Sequence, residues 1–269
     1  MLDLPDVTLL CVDTRAPALA TWAMGKCLKH ARFAKAVLLT DLARVGARRE
    51  GIEYEQAPGL RSVNDYSRFM LTGIGSHVVG SHVLIVQWDG FIVHPDMWDP
   101  QFQSYDYIGA VWPQFPNTPV GNGGFSLRSR RLLDALCDSG INPRPPEDKC
   151  ICVRNRELLE QRGIRFAPPE VANRFSVERL PWHKAFGFHG FFNFPSVLAP
   201  DELRSFVRDM PASCCSNIDA YDLVDRLWED GEGTTAATLT EKLRFRWKLW
   251  TRYGRNWLRA RQWQKRADL

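Results

Sequence analysis

The chain has 269 residues, 45% apolar and 25% charged, with a formal net charge of +4. That length and balance suit one large folded soluble domain, or one domain with an appendage, and exclude a disordered chain. No apolar run approaches roughly 18 residues, so no spanning helix is expected. The N-terminal MLDLPDVTLL has neither a basic region nor a long apolar core, which predicts no secretory signal. Seven cysteines without metal-type spacing read as reduced thiols of a cytosolic protein, not as a disulfide framework or zinc site. Charge is uneven: from Glu241 to Leu269 ten Lys/Arg stand against two acids, so that segment carries +8 and the preceding 240 residues −4.

Val7–Val12 is an apolar run ending in Asp13-Thr14-Arg15 and reads as a first strand. Pro17 to His30 follows as a helix, with proline in its first turn and an apolar stripe through Leu19, Trp22, Ala23, Cys27 and Leu28. Ala36–Leu39 is a second strand ending at Thr40-Asp41, and Ile52–Tyr54 a third, edge-like one. Ser62 or Asn64 caps a helix through Val63, Tyr66, Phe69 and Met70. Val83–Gln87 is a short, continuously apolar strand of the kind buried on both faces of a parallel sheet. It stops at Gln87-Trp88-Asp89-Gly90. A carboxylate at the carboxyl end of such a strand enters the crevice where open α/β sheets bind ligands. The same aspartate also suits a simple turn cap. No glycine-rich fingerprint follows the first strand, which argues against dinucleotide and P-loop binding.

Further on, His94-Pro95 and Trp98-Asp99-Pro100 read as a turn and a short helix, and Tyr105–Trp112 as a strand. Gly121-Asn122-Gly123-Gly124 opens a strand-like stretch, either as an ordinary loop or as backbone presented to a sugar or diphosphate. Arg130 to Cys137 is a helix. Glu147-Asp148 begins another through Ile151, Val153, Leu158 and Leu159, and Ile164–Ala167 is a short strand. Paired acids there either complement a helix dipole or serve a pocket. His189 stands alone in Phe186-Gly187-Phe188-His189-Gly190; as a metal ligand it needs a nearby acid.

Taken in order, VTLLCVDTR, VNDYSRFM, VLIVQWDGFIVHP, YDYIGAVWP, VGNGGFSLRSRRLL, PEDKCICV, GIRFAP and FGFHGFFNF resemble the GT-A class of nucleotide-sugar glycosyltransferases. More narrowly they resemble a bacterial family of glycosyltransferase-like proteins that carries the Gln87-Trp88-Asp89-Gly90-Phe91 motif. The resemblance spans residues 7 to about 195 and implies an α/β fold, GT-A-like, with a mixed, mostly parallel sheet flanked by helices. It implies a catalytic domain over residues 1–200 and a helical C-terminal extension over 201–269. It also implies transfer of a sugar from a nucleoside diphosphate donor to a glycan or glycolipid hydroxyl, in bacterial surface-polysaccharide assembly.

Residue by residue, the class places an Asp-x-Asp motif at the end of a central strand, where it holds Mn²⁺ or Mg²⁺. Here Gln87 replaces the first acid and Asp89 keeps the second, so metal dependence rests on one carboxylate. The resemblance makes Asp89 and His189 the metal ligands and places Gln87 on ribose or a metal-bound water. It sets Asp13, Thr14, Arg15 and Asp41 around base and ribose, Tyr66 and Arg68 over the nucleotide or donor sugar, and Gly123 and Gly124 along the donor and acceptor pocket. Inverting members use a carboxylate base, which Glu147 or Asp148 matches, Asp148 being favoured. A sugar nucleotidyltransferase and a non-catalytic glycan-binding protein are the competing readings. The former would carry a glycine-rich first loop that this chain lacks.

Past residue 200 the resemblance fades. Asp201–Met210 and Ala220–Glu229 look helical, with Ser/Cys-rich and Gly/Thr-rich linkers. From Leu243, Trp247, Trp250, Tyr253 and Trp257 recur at helical spacing among Arg and Lys. Such a helix suits the anionic cytoplasmic face of a membrane or packing on the catalytic domain; nucleic acid is not expected as a partner.

Overall fold

The computed structural model describes residues 1–138 and 140–267, so the last two residues of the expected extension lie outside the described residues. The chain forms two compact units, Met1–His189 and Gly190–Leu269.

The first unit is built on a six-stranded mixed sheet. Its strands are β1 (Leu2–Val12), β2 (Ala31–Thr40), β3 (Glu53–Gln56), β4 (His82–Val86), β5 (Tyr107–Ile108) and β8 (Phe125–Ser129), in the order β3-β2-β1-β4-β8-β5. β1 pairs in parallel with β2 and β4, and β2 in parallel with β3. β8 runs antiparallel to both β4 and β5. The expected mostly parallel α/β sheet is therefore present. Two further short strands, β6 (Ala110–Val111) and β7 (Val120–Gly121), pair antiparallel outside it.

Both faces of the sheet are covered. Leu10, Val12, Val37, Leu39, Val83 and Ile85 form one apolar face, joined by Met70 of helix α2 (Val63–Thr72) and Leu133 of helix α3 (Arg130–Leu136). The alternate residues Leu9, Cys11, Leu38 and Leu84 point the other way and are also fully buried. Helix α1 (Pro17–His30) follows β1 over the predicted span. Ser62 is the cap of α2, its Oγ accepting the Asp65 N–H at 3.1 Å.

Several expected elements are corrected. β1 and β2 begin five residues earlier than their apolar runs, because their outer halves alternate buried and exposed positions. Tyr105–Trp112 is not one strand. It divides at Gly109 into β5 and β6, which belong to different sheets. Gly109 packs so closely on the Gly121 carbonyl that a Cβ there would stand 1.9 Å from the oxygen. Ile164–Ala167 forms no strand, only a single parallel bridge from Phe166 to Tyr107. The helix expected from Glu147 is broken into α4 (Glu147–Lys149), a π-turn at Cys150–Arg154 and α5 (Arg156–Gln161). Helix α6 (Pro169–Phe175) then leads into the parallel pair β9 (Ser176–Val177) and β10 (Gly187–Phe188).

The second unit is helical: α7 (Pro200–Asp209), α8 (Ile218–Glu229), α9 (Gly233–Lys242) and α10 (Trp250–Ala267). The stretch read as a Gly/Thr-rich linker is α9, which buries Ala236, Leu239 and Thr240. Burial of that stripe outweighs the weak helix preference of threonine. The tail helix begins at Trp250, not Leu243, after a single turn at Trp247–Leu249.

Ser129 holds β8 to α3. Its hydroxyl accepts the Leu132 N–H at 3.0 Å and donates to buried Asp106 at 2.5 Å. Ser129→Ala removes a helix cap and one partner of a buried carboxylate, and should cost about 2 kcal/mol. Urea unfolding of the two proteins measures it. Ser62→Ala, whose cap is exposed, should cost about half as much.

Candidate active site

β1 pairs with β2 on one side and β4 on the other. The chain reverses its winding there, and a crevice opens beyond the carboxyl ends of β1 and β4. A cavity of about 400 Å³ occupies it, lined by Val12, Asp13, Thr14, Arg15, Leu60, Arg61, Ser62, Val63, Tyr66, Gln87 and Trp88. The structure thus brings Asp13, Thr14, Arg15, Tyr66 and Gln87 to one cavity. Two of its lining residues are cationic, Arg15 and Arg61, and the capped start of α2 also faces it. Both features favour an anionic ligand. The Asp13 carboxylate is engaged in its own loop, accepting the Arg15 and Ala16 N–H groups at 2.7 Å each.

Asp41 and Arg68 are not part of this lining. Asp41 caps a short turn, accepting the Ala43 N–H at 3.1 Å. Arg68 lies exposed on α2.

Gln87 joins the cavity to a more deeply buried polar cluster. Its side-chain N–H donates to the Tyr66 hydroxyl at 3.0 Å, and its Oε1 lies 3.2 Å from His189 Nε2. Asp89 Oδ1 stands 3.4 Å from the same ring nitrogen. The other ring nitrogen, Nδ1, meets Glu178 Oε1 at 3.2 Å, and Glu178 Oε2 accepts the Trp112 indole N–H at 3.1 Å. β9 and β10 produce this pairing. They align Val177 with Phe188, so the residues that follow the two strands, Glu178 and His189, are neighbours. Burial pushes the His189 pKa down, but Asp89 and Glu178 outweigh it and hold the imidazole well above its ordinary value of 6.5. Burial raises the Glu178 carboxyl, yet its bond to His189 leaves it below the usual range.

The Asn122-Gly123-Gly124 loop lies against this cluster. Asn122 adopts φ +79° and its side-chain oxygen accepts the Gly124 N–H at 2.7 Å. Asparagine tolerates the left-handed region through such local bonding. A Cβ on Gly124 would stand 2.0 Å from His189 Nε2, and one on Gly123 would stand 2.1 Å from Glu147 Oε1. Neighbouring glycines therefore admit the imidazole and Glu147. Glu147 is buried and lies 3.5 Å from Arg128 Nη2; the Arg128 guanidinium is itself fully buried. Burial raises the Glu147 pKa against the pull of Arg128. Asp148 is half-buried, with Oδ1 accepting its neighbour's Lys149 N–H at 2.6 Å. Burial raises its pKa too; the Lys149 N–H and Arg128 oppose this, while Glu178 adds to it. Tyr66 also senses Glu147 after burial.

Asp89, Asp148 and His189 do not line the cavity itself. Asp89 and His189 are in contact, and the negative charge of Glu178, the other partner of His189, adds to the raised pKa of Asp148. Glu178, Arg128 and Arg61 were not singled out by the sequence. Glu178 and Arg128 carry no periodic signal, whereas Arg61 directly precedes the Ser62 cap.

No group of three or more His, Cys, Asp and Glu side chains around a metal position occurs among the described residues. Asp89 Oδ1, Gln87 Oε1 and His189 Nε2 nevertheless converge, with a carboxylate on the far ring nitrogen. A carboxylate bonded to the outer nitrogen is the usual support of a metal-bound histidine. One carboxylate, one amide oxygen and one imidazole fit a divalent ion that draws its remaining ligands from a diphosphate.

Two outcomes follow from this geometry. With chelator present, the stability due to His189 should be fully present below about pH 6.5, the unfolded value. It should be lost as pH rises through the elevated folded value. Urea unfolding between pH 6 and 9 should show that slope in the native chain and a flatter one in His189→Gln. Gly124→Ala should displace the ring and cost about 1–3 kcal/mol by overpacking.

The galactosyltransferase LgtC, solved with donor and acceptor sugar analogues, is similar over 74% of this chain and 99% of its own, at 11% identity and TM-score 0.46. The apo form of the glycosyltransferase GlyE of Streptococcus pneumoniae TIGR4 is similar over 73% of this chain and 55% of its own, at 12% identity and TM-score 0.43. The mannosyltransferase PcManGT of Pyrobaculum calidifontis, solved with GDP-Man and Mn²⁺, is similar over 96% of this chain and 88% of its own, at 15% identity and TM-score 0.40. No curated protein matches the chain. The family described as "Protein of unknown function (DUF5672)" matches residues 51–189, a stretch that holds Tyr66, Gln87, Asp89, Glu147, Asp148, Glu178 and His189. With just over half its length matched, the chain belongs to the DUF5672 family.

Proposed function

We propose that the protein is an inverting glycosyltransferase that moves a sugar from a nucleoside diphosphate donor to a hydroxyl of a glycan or glycolipid. The observation that carries this reading is the position of Gln87. It lines the cavity at the ends of β1 and β4, and it also touches the His189 cluster. In this reading the nucleoside lies in the cavity against Asp13, Thr14 and Tyr66, and Arg15 and Arg61 face its phosphates. The sugar then points toward Asp89 and the Gly123-Gly124 loop.

Asp148 is the general base of this reading. Its raised pKa and partial exposure suit a carboxylate that accepts the proton of the acceptor hydroxyl. The acceptor oxygen bonds to the anomeric carbon as the bond from that carbon to the diphosphate oxygen breaks, and the nucleoside diphosphate leaves with the electron pair. Glu147, buried beside Arg128, is a positioning residue. Asp89, His189 and Gln87 are the residues that would hold Mn²⁺ or Mg²⁺, for which His189 Nε2 must give up its proton. When bound, such an ion would supply positive charge against the charge developing on the leaving diphosphate.

A thermal-shift screen of nucleoside diphosphates and their sugars, with and without Mn²⁺, tests donor binding. A bound donor should raise the melting temperature with a dependence on ligand concentration. Asp89→Ala should abolish the added effect of Mn²⁺. With the donor and acceptor found, Asp148→Asn should lower turnover by about 10²–10⁴-fold while donor affinity is retained. Turnover near that of the native chain would remove Asp148 as the base. Failure of every nucleoside diphosphate to stabilise the protein would remove the function as a whole.

A further inference from the structure

Lys242 to Ala267 contains ten Lys/Arg and no acid. The structure separates the side chains of this segment into a docked face and a free one. Docking is polar as well as apolar. Arg252 bonds Asp222 and Asp225 at 2.8 and 2.9 Å, Asn256 Nδ2 bonds Asp225 at 3.0 Å, and Arg255 adds a third contact to Asp225 at 2.8 Å. Asn256 and Ala260 are buried, while Tyr253 and Trp257 are half-buried. The helix is thus fixed by one side to α8 and α9 of its own unit.

The opposite side is uncovered. Trp247 is 77% exposed, Leu258 63%, and Phe245 and Trp250 58% each. These four are interleaved with exposed Arg244, Arg246, Lys248, Arg259 and Arg261. The acids of α8 already answer Arg252 and Arg255. No ion pair among the described residues answers Arg244, Lys248, Arg259, Lys265 or Arg266. No helix among the described residues is long and apolar enough to cross a membrane.

We infer that this face is a docking surface for the headgroup region of an anionic phospholipid bilayer. Cations that alternate with large exposed aromatic and aliphatic side chains match a surface whose phosphates lie directly above hydrocarbon. Lys and Arg meet the phosphates, while Phe245, Trp247, Trp250 and Leu258 enter the interface. Because Asp222 and Asp225 of α8 hold α10 through Arg252, Arg255 and Asn256, the face is formed before binding, so little ordering cost remains. A nucleic acid would use the cations but would leave Leu258 without a role.

Co-sedimentation of the full chain with vesicles is the test. Phosphatidylcholine vesicles with and without about 30% phosphatidylglycerol are compared, alongside a mixed-sequence single-stranded oligonucleotide. Binding to the anionic vesicles should exceed binding to neutral ones by at least about tenfold. Phe245→Ser/Trp247→Ser/Trp250→Ser should lower anionic-vesicle binding by about tenfold or more, with an unchanged circular dichroism spectrum and melting temperature. Arg244→Gln/Lys248→Gln/Arg259→Gln should remove most of the preference for anionic lipid. Equal binding to both vesicle types would overturn the inference. So would vesicle binding that is indifferent to the aromatic substitutions. Oligonucleotide binding that is lost with the cations but kept without the aromatics, in the absence of vesicle binding, would reassign the face to nucleic acid. None of these outcomes depends on the proposed sugar transfer.

Discussion

A half-buried imidazole flanked by two carboxylates is the constraint around which the first unit is arranged. His189 meets Glu178 through Nδ1 and Asp89 and Gln87 through Nε2. Each of these groups would be costly to bury alone. Together they satisfy one another only if three distant stretches of chain arrive in register. β4 delivers Gln87 and Asp89 at its carboxyl end, and the β9–β10 pair delivers Glu178 and His189 side by side. The backbone locks this arrangement, since Gln87 N–H donates to the Gly124 carbonyl at 2.9 Å and His189 N–H to the Val177 carbonyl at 2.9 Å.

Gly123 and Gly124 then acquire a specific reason. Side chains at these positions would occupy the places of Glu147 Oε1 and His189 Nε2. Two adjacent residues without Cβ atoms let a second buried charge pair, Glu147 with Arg128, lie next to the first cluster. A buried ion pair is weak evidence for stability, because desolvation offsets its attraction. Asp148, one residue along and more exposed, has its pKa raised chiefly by burial, with the Glu178 charge adding to it.

The second unit uses charge in a different manner. Asp222 and Asp225 take up Arg252 and Arg255, and Asn256 completes the contact. These bonds select which face of α10 is turned inward. Phe245, Trp247, Trp250 and Leu258 remain outside with the unanswered cations. The expected stripe of Leu243, Trp247, Trp250, Tyr253 and Trp257 is therefore divided: Leu243 is buried, Tyr253 and Trp257 are half-buried, and the two tryptophans between them are exposed.

Local periodicity was enough for the inner half of β1, for α1, for a helix through Tyr66, Phe69 and Met70 and for the buried β4, because each is specified by neighbours within a few residues. It was also enough to place Asp13, Gln87 and Asp89 just past the carboxyl ends of strands and Tyr66 on a helix. Tertiary structure alone decided the rest. Glu178 became the partner of His189 through strand register across eleven positions, which no local pattern encodes. Tyr105–Trp112 divided because Gly109 had to pack on the Gly121 carbonyl, and Gly233–Lys242 became a helix because its stripe is buried within its unit. Pairing, burial and close approach belong to segments far apart in the chain, and they come into being only when those segments meet.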